Sequence, residues 1–315
     1  MTDGAPAAAP VGICVVDKPA GWTSHDVVAR CRRLLGTRKV GHSGTLDPMA
    51  TGVLVLGVGP ATRLLTFLSG VDKDYEATIR FGVETDSLDA DGEVVATHDT
   101  PVRAPDVLAA AADLRGESDQ VPPMVSAVKI DGVRLHERAR AGEEVERPSR
   151  RIRVDRLDLT PTEDPLVWRA AVSCSSGTYV RVLAADLGHA VGSGAHLTAL
   201  RRTRVGAFTL DEAVPLDEVD PTRLLAPSAL ARVLPTVEVD ESTAVDVGHG
   251  KVLERSRLVA AAGDGAGVGP GDGAGAGPGA GDGPWAVLGP SGDLLAVYQV
   301  HRGDRVKPAM VLGRN

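Results

Sequence analysis

The sequence predicts an α+β chain in two parts, a mixed sheet-and-helix body followed by a small all-β unit. Three observations carry this. Through residues 11–210, stretches that alternate every second residue, such as "YEATIRF", are interleaved with stretches of helical period, such as "TSHDVVARCRRLLG". Beyond Val233 only short strand-like pieces remain. The length of 315 residues allows two domains, and an apolar content of 43% supplies a sizeable core.

Lys18 and Pro19 stand at a strand end. "TSHDVVARCRRLLG" follows as a helix, with Thr23 or Ser24 as cap, Val27, Cys31, Leu34 and Leu35 on one face, and Gly36 at its end. "VLVLGVG" is too short for a typical helix and reads as a buried strand; "ATRLLTFLSG" reads as a short helix closed by Gly70. In "YEATIRF", Tyr75, Ala77, Ile79 and Phe81 share one strand face. "APDVLAAAADLRG" is a helix with an apolar stripe at Val107, Leu108, Ala111 and Leu114. "RIRVDRLDL" and "LVWRAAVSC" are strands. "YVRVLAADLGHAVG" is a helix facing the core with Val180, Leu183, Leu187 and Val191.

The expected division is a disordered N-terminus over residues 1–10, a body over 11–232 and a β unit over 233–315. In the β unit "AVDVGHGKVL", "WAVLG" and "LLAVYQV" read as strands, the last two joined by "GPSG" as a hairpin. Residues 263–283, "GDGAGVGPGDGAGAGPGAGDG", have no apolar surface to bury and read as a flexible insertion. Their irregular period and lack of large apolar residues argue against a calcium-binding repeat.

Composition removes several classes. Cys14, Cys31 and Cys174 are far apart, odd in number and without a CxxC pair, which argues against disulfides and a zinc site and fits a reducing compartment. "MTDGAPAAAPVG" lacks the pattern of a signal peptide, and no apolar run approaches a membrane span. A soluble, cytoplasmic protein is expected. The net charge of −8 speaks against nucleic acid, but the charge is clumped. "RCRRLLGTRK", "RPSRRIRVDR" and "RRTR" are basic, and either a local groove for RNA or solvated faces would produce them.

"GHSGTLDPMATG" (Gly41–Gly52) places one carboxylate, Asp47, among glycines and small hydroxyl residues. Pro48 biases Asp47 toward an extended backbone, and Gly41, Gly44 and Gly52 permit close approach of another backbone or a ligand. Composition leaves a self-bonded structural turn and a functional carboxylate both open. Further along, "CSSGTYVRVLAADLG" sends a strand into a helix with Tyr179 and Arg181 at the junction.

These stretches, with "KDYEATIRFG", "VPPMVSAVKIDG" and "GAHLTALRRTRVG", together resemble the TruB-type tRNA pseudouridine synthases. The likeness runs in order over residues 11 to about 210, and the C-terminal β unit resembles a PUA domain, with the glycine-rich insertion a departure. It implies a central mixed, largely antiparallel sheet flanked by helices, with a small C-terminal β-barrel. It also implies isomerisation of uridine 55 in the tRNA T loop to pseudouridine, with no cofactor, no metal and no obligatory protein partner, by a monomer. Asp47 becomes the catalytic nucleophile, paired with Arg181, and Tyr75 stacks on the base and joins the chemistry. His42, Tyr179, Leu200, Lys18, Lys129 and Asp89 become substrate-side residues, with a structural alternative for His42, Lys18, Lys129 and Asp89. A base within a folded loop must be extruded to be reached. An RNA-folding chaperone and a guide-RNA-dependent relative are the alternative readings.

Overall fold

A computed structural model describes residues 9–124, 129–130, 133–134, 145–259 and 283–312. Ten strands form the main sheet: β1 (Gly12–Lys18), β2 (Val40–Ser43), β3 (Thr51–Val58), β4 (Lys73–Phe81), β7 (Gly116–Gln120), β10 (Arg150–Pro161), β11 (Val167–Cys174), β12 (Ala195–Val205), β13 (Phe208–Thr209) and β14 (Val214–Pro215). Two small hairpins lie outside it, β5 (Val83–Thr85) with β6 (Val94–Thr97) and β8 (Lys129–Ile130) with β9 (Val133–Arg134). The main order is β14-β1-β3-β12-β4-β11-β10-β7, with β2 on β3 and β13 on β12. Only β1/β14 and β3/β12 run parallel, so the sheet is mixed and largely antiparallel as expected.

Burial explains the sequence patterns. β4 alternates, with Tyr75, Ala77, Ile79 and Phe81 buried against the helices Ala104–Asp113 and Val180–Ala190. β1 and β3 are covered on both faces and therefore read as continuous apolar runs. Cys14, Val16, Leu54 and Leu56 face the helix Ser24–Leu34, while Ile13, Val15, Val53 and Val55 face the C-terminal unit. That first helix has Thr23 as its cap, in a reciprocal capping box with Asp26, and buries Cys31 while Arg32 and Arg33 point out.

The C-terminal sheet has the order β15-β17-β18-β19-β16, built from β15 (Thr236–Glu238), β16 (Leu253–Glu254), β17 (Trp285–Leu288), β18 (Leu294–Val300) and β19 (Arg305–Val311). β17 and β18 form the expected hairpin.

Three expectations need correction. "AVDVGHGKVL" is mostly helix, Glu241–Gly248, because the Asp240 side chain accepts from Thr243 N at 2.7 Å and Ala244 and Val247 bury one turn-spaced face. Leu108 is 50% exposed; the stripe of its helix is narrower than four residues. "ATRLLTFLSG" begins as a 3-10 turn, Gly59–Leu64, before one α turn at Leu65–Leu68. The expected disordered N-terminus and the glycine-rich stretch lie outside the described residues, apart from Ala9, Pro10 and Gly283.

Candidate active site

The loop between β2 and β3 carries Asp47 and is held from every side by backbone bonds. Ser24 Oγ donates to Leu46 O at 3.1 Å and accepts from Leu46 N at 2.9 Å. Gly21 N donates to Pro48 O at 2.8 Å. Lys18 Nζ donates to Pro19 O, Trp22 O and Pro48 O at 3.0, 2.6 and 3.2 Å. Gly52 sits at φ +100°, and a Cβ there would meet Arg202 O at 2.2 Å, so only glycine lets β3 and β12 meet at this point.

Arg181, in the first turn of the helix Val180–Ala190, reaches the Asp47 carboxylate with two nitrogens, Nε to Oδ2 at 3.0 Å and Nη2 to Oδ1 at 3.2 Å. Its Nη1 donates to Ser87 O at 2.7 Å and lies 3.3 Å from Asp89 Oδ2. A buried guanidinium thus bridges two carboxylates. Two paired donors fix the plane of the Asp47 carboxylate as well as its charge. Desolvation pushes the Asp47 pKa up, Arg181 opposes that, and Asp89 adds to it. The helix start is fixed by Gln120, whose amide accepts from Tyr179 N at 2.8 Å and donates to Tyr179 O at 3.2 Å.

β12 joins the two halves of the site. Arg202 is registered against Gly52 of β3 on one side and Tyr75 of β4 on the other. Its guanidinium, 1% exposed, donates to Val53 O, Thr45 O and Gly44 O at 2.8, 3.4 and 3.1 Å and lies beside Tyr75. A cleft of about 330 Å³ opens over these groups, walled by Asp47, Tyr75, Tyr179, Arg181, Leu200 and Arg202, with Lys73 and the Ser176–Thr178 turn completing it. That volume is at the small end of ligand pockets, room for one nucleoside and not for a folded stem.

Asp47, Arg181, Tyr75, Tyr179 and Leu200, expected together, all line this cleft, and Asp89 stands behind Arg181. His42 does not line it. It lies on β2, half-buried, with its ring edge-on to His25 at 5.4 Å, and burial beside His25 and Arg202 pushes its pKa down to about 4. Lys18 takes the structural one of its two expected roles. It is fully buried and its ammonium is spent on three carbonyls, so it props the Asp47 loop and has no donor left for phosphate. The side chain of Lys129 lies outside the described residues. The basic stretches are also less bare than their sequences suggest. Arg151 pairs with Glu117, Arg153 with Asp72 and Asp155, Arg201 with Asp17 and Arg204 with Asp74. Arg150 stacks over the Tyr179 ring at 5.6 Å.

Sequence reasoning missed Arg202 and Lys73. Both follow from strand alternation once β4 and β12 are known: Lys73 is two residues before Tyr75 in β4, and Arg202 two after Leu200 in β12.

The geometry defines a small cleft around a clamped, partly desolvated carboxylate. Comparison with known proteins agrees. Residues 32–180 match the model described as TruB family pseudouridylate synthase, N-terminal domain, and residues 181–239 match the tRNA pseudouridylate synthase B C-terminal domain. Relatives named tRNA pseudouridine synthase B include one from Arthrobacter sp. (strain FB24), 47% identical over 95% of this chain and 96% of its own length. Another, from Mycobacterium sp. (strain KMS), is 50% identical over 81% of this chain and 90% of its own. Among solved structures, a Cbf5-Nop10-Gar1 complex superposes with a TM-score of 0.69 at 25% identity, covering 96% of this chain and 84% of that one. The chain belongs to the TruB family of pseudouridylate synthases.

Proposed function

We propose that the protein converts uridine 55 in the T loop of tRNA to pseudouridine, on a base flipped out of the loop into the cleft. The observation that carries this is the Asp47 carboxylate held bidentately by buried Arg181 beside Tyr75. The names of the relatives support tRNA as the substrate. The reaction breaks the C1′–N1 bond, turns the uracil and rejoins it through C5, so no net oxidation occurs and no redox partner is required. Asp47 acts as the nucleophile at C6 or C1′, or as the base of a glycal route. Arg181 keeps it ionised and aimed, and Asp89 orients Arg181. Tyr75 and Tyr179 replace the stacking that the base loses on leaving the RNA. His42, neutral at physiological pH, acts from the side of the cleft to hold the T loop open.

The C-terminal unit, residues 233–315, is proposed as a PUA-like RNA-binding domain, and the body, residues 11–232, as the catalytic domain. The protein acts without a guide RNA. One assay tests the whole reading: purified protein, a T-arm transcript, and pseudouridine scored by position. Wild type should modify position 55 alone, and Asp47→Asn should lose at least about 1000-fold in turnover while still binding the RNA. Turnover near wild type in that variant, or no modification by wild type without an added guide, would overturn it.

A further inference from the structure

Two buried lysines flank the Asp47 loop and spend their ammonium groups differently. Lys18 Nζ has three carbonyl acceptors and lies outside the cleft. Lys73 is 6% exposed and lines the cleft, yet its Nζ has one acceptor among the described residues, Val71 O at 2.6 Å. An ammonium carries three donors, so two remain unspent. Strand alternation puts Lys73 on the same face of β4 as Tyr75. Its side chain runs along the Asp47 loop, with Cε 3.6 Å from where a Cβ on Gly44 would stand. The charged and titratable groups around it are Arg202 from β12, Cys174 from β11 and Asp72 just before β4. Among the described residues no carboxylate forms an ion pair with it. A cation buried without a counter-charge is costly, and a substrate that brings negative charge into the cleft offsets that cost.

We propose that Lys73 is an electrostatic catalyst, donating to a carbonyl oxygen of the flipped pyrimidine as that oxygen becomes negative during the reaction. This rests on the uridine-isomerising function. The charge appears on the ring whichever route Asp47 takes. Attack at C6 forms the C6–O bond and pushes the C5–C6 π pair toward C4=O4 as an enolate. Departure at C1′ leaves the C1′–N1 bonding pair on the uracil, shared between N1, O2 and O4. When C5 bonds to C1′ the ring supplies the pair for that bond. C5 then gives up its proton to the solvent or a nearby base, and the C5–H pair re-forms C5=C6. The C6–O or C1′–O bond breaks to return the Asp47 carboxylate, and N1 takes a proton. Lys73 keeps its own proton throughout, and nothing is oxidised or reduced. Fixed donors aimed at developing charge are a large source of rate enhancement in water-poor sites.

Burial, with Arg202 nearby, pushes the Lys73 pKa down to about 8. Charged Lys73 is the working form, so the rate should fall as pH rises through about that value. Tyr75 and Cys174 are both pushed upward by burial and do not titrate there. Lys18 under the Asp47 loop is also pushed down to about 8, so the limb belongs to Lys73 only if a Lys73 variant loses it.

The test is the single-turnover rate and RNA affinity of wild type and Lys73→Met on a T-arm transcript, from pH 6 to 9.5. Lys73→Met should lose roughly 100-fold in rate, keep its RNA affinity within threefold, and lack the alkaline limb seen in wild type. A rate within threefold of wild type overturns the proposal. So does a loss confined to affinity, which would assign Lys73 to a backbone phosphate. Should Lys73→Met fail to fold, the wild-type profile still tests the proposal: a rate flat from pH 7 to 9.5 overturns it. A wild type that forms no pseudouridine at any pH sinks the functional reading, and this proposal with it.

Discussion

Asp47 is held between opposing influences, and their balance sets its pH behaviour. Desolvation and Asp89 favour the protonated form, while the two-pronged contact with Arg181 favours the ionised one, and the net direction is upward. In the proposed mechanism the ionised carboxylate is the form that attacks or abstracts a proton. A raised pKa therefore moves the loss of activity on acidification to a higher pH than an ordinary aspartate, about 3.9, would give. The kcat/KM profile for a T-arm substrate should show its acidic limb above that value. Arg181→Lys replaces a fork with a point charge and should shift the limb further up while lowering turnover about 10-fold or more. A wild-type limb at or below pH 4, with Arg181→Lys unchanged, would mean that the pair does not tune Asp47.

At the scale of elements, β12 decides whether the site exists. It lies between β3 and β4, and Arg202 on it holds the Asp47 loop through Gly44 and Thr45 and is registered against Tyr75 of β4. Arg202→Met removes the donor for three backbone carbonyls, at roughly 1–3 kcal/mol for each acceptor left unsatisfied. Melting temperature should fall by several degrees and turnover should fall with it; an unchanged melting curve would show that the loop is held by Ser24 and Lys18 alone. This strand also shows what the sequence made legible. Asp47, Arg181, Tyr75, Tyr179 and Leu200 could be read because each sits in one of the long motifs that carry the family resemblance. Arg202 could not be separated from its neighbours, since "RRTR" is one basic run in sequence. In the strand it becomes two arginines tied to Asp17 and Asp74 and one turned inward. For Lys18 the sequence leaves a structural and a phosphate role both open, because a lysine near a phosphate-binding site and a lysine buried under a loop have the same local sequence. Alternation from Leu200 and Tyr75 would have found both inward cations, but only once the strand faces were known. The helix Glu241–Gly248 was missed because "AVDVGHG" has β-branched residues and glycines, and its Asp240 cap outweighs them.

Across the whole molecule, the C-terminal unit is part of the structural foundation of the catalytic sheet. β17 is buried on both faces: Trp285 and Val287 face the unit's own core, and Ala286 and Leu288 face the body. There Leu288, Leu294, Val297, Met310 and Leu312 share one apolar cluster with Ile13, Val15, Val53, Val55, Leu64, Leu68 and Phe208. Arg63 Nη2 closes the rim by donating to Val311 O at 2.7 Å. β3 follows the Asp47 loop and β1 pairs along it, and the C-terminal unit shares the cover of their second face with Ala61, Leu64 and Leu68. A polar group in this seam should therefore weaken the catalytic body as well as the C-terminal unit. Val297→Asp buries a carboxylate without a partner, and Val297→Ala leaves a cavity worth on the order of 1–3 kcal/mol. Val297→Ala should lower the melting temperature by about 2–6 °C with turnover per folded molecule unchanged, since no group in the cleft touches it. Val297→Asp should melt the two units together, in one transition well below that of wild type, and lose activity at the same temperature. Thermal unfolding followed in parallel by calorimetry and by residual pseudouridine formation decides this. If Val297→Asp instead gave two transitions, with activity surviving the first, the C-terminal unit would be an appendage docked on a body that stands without it.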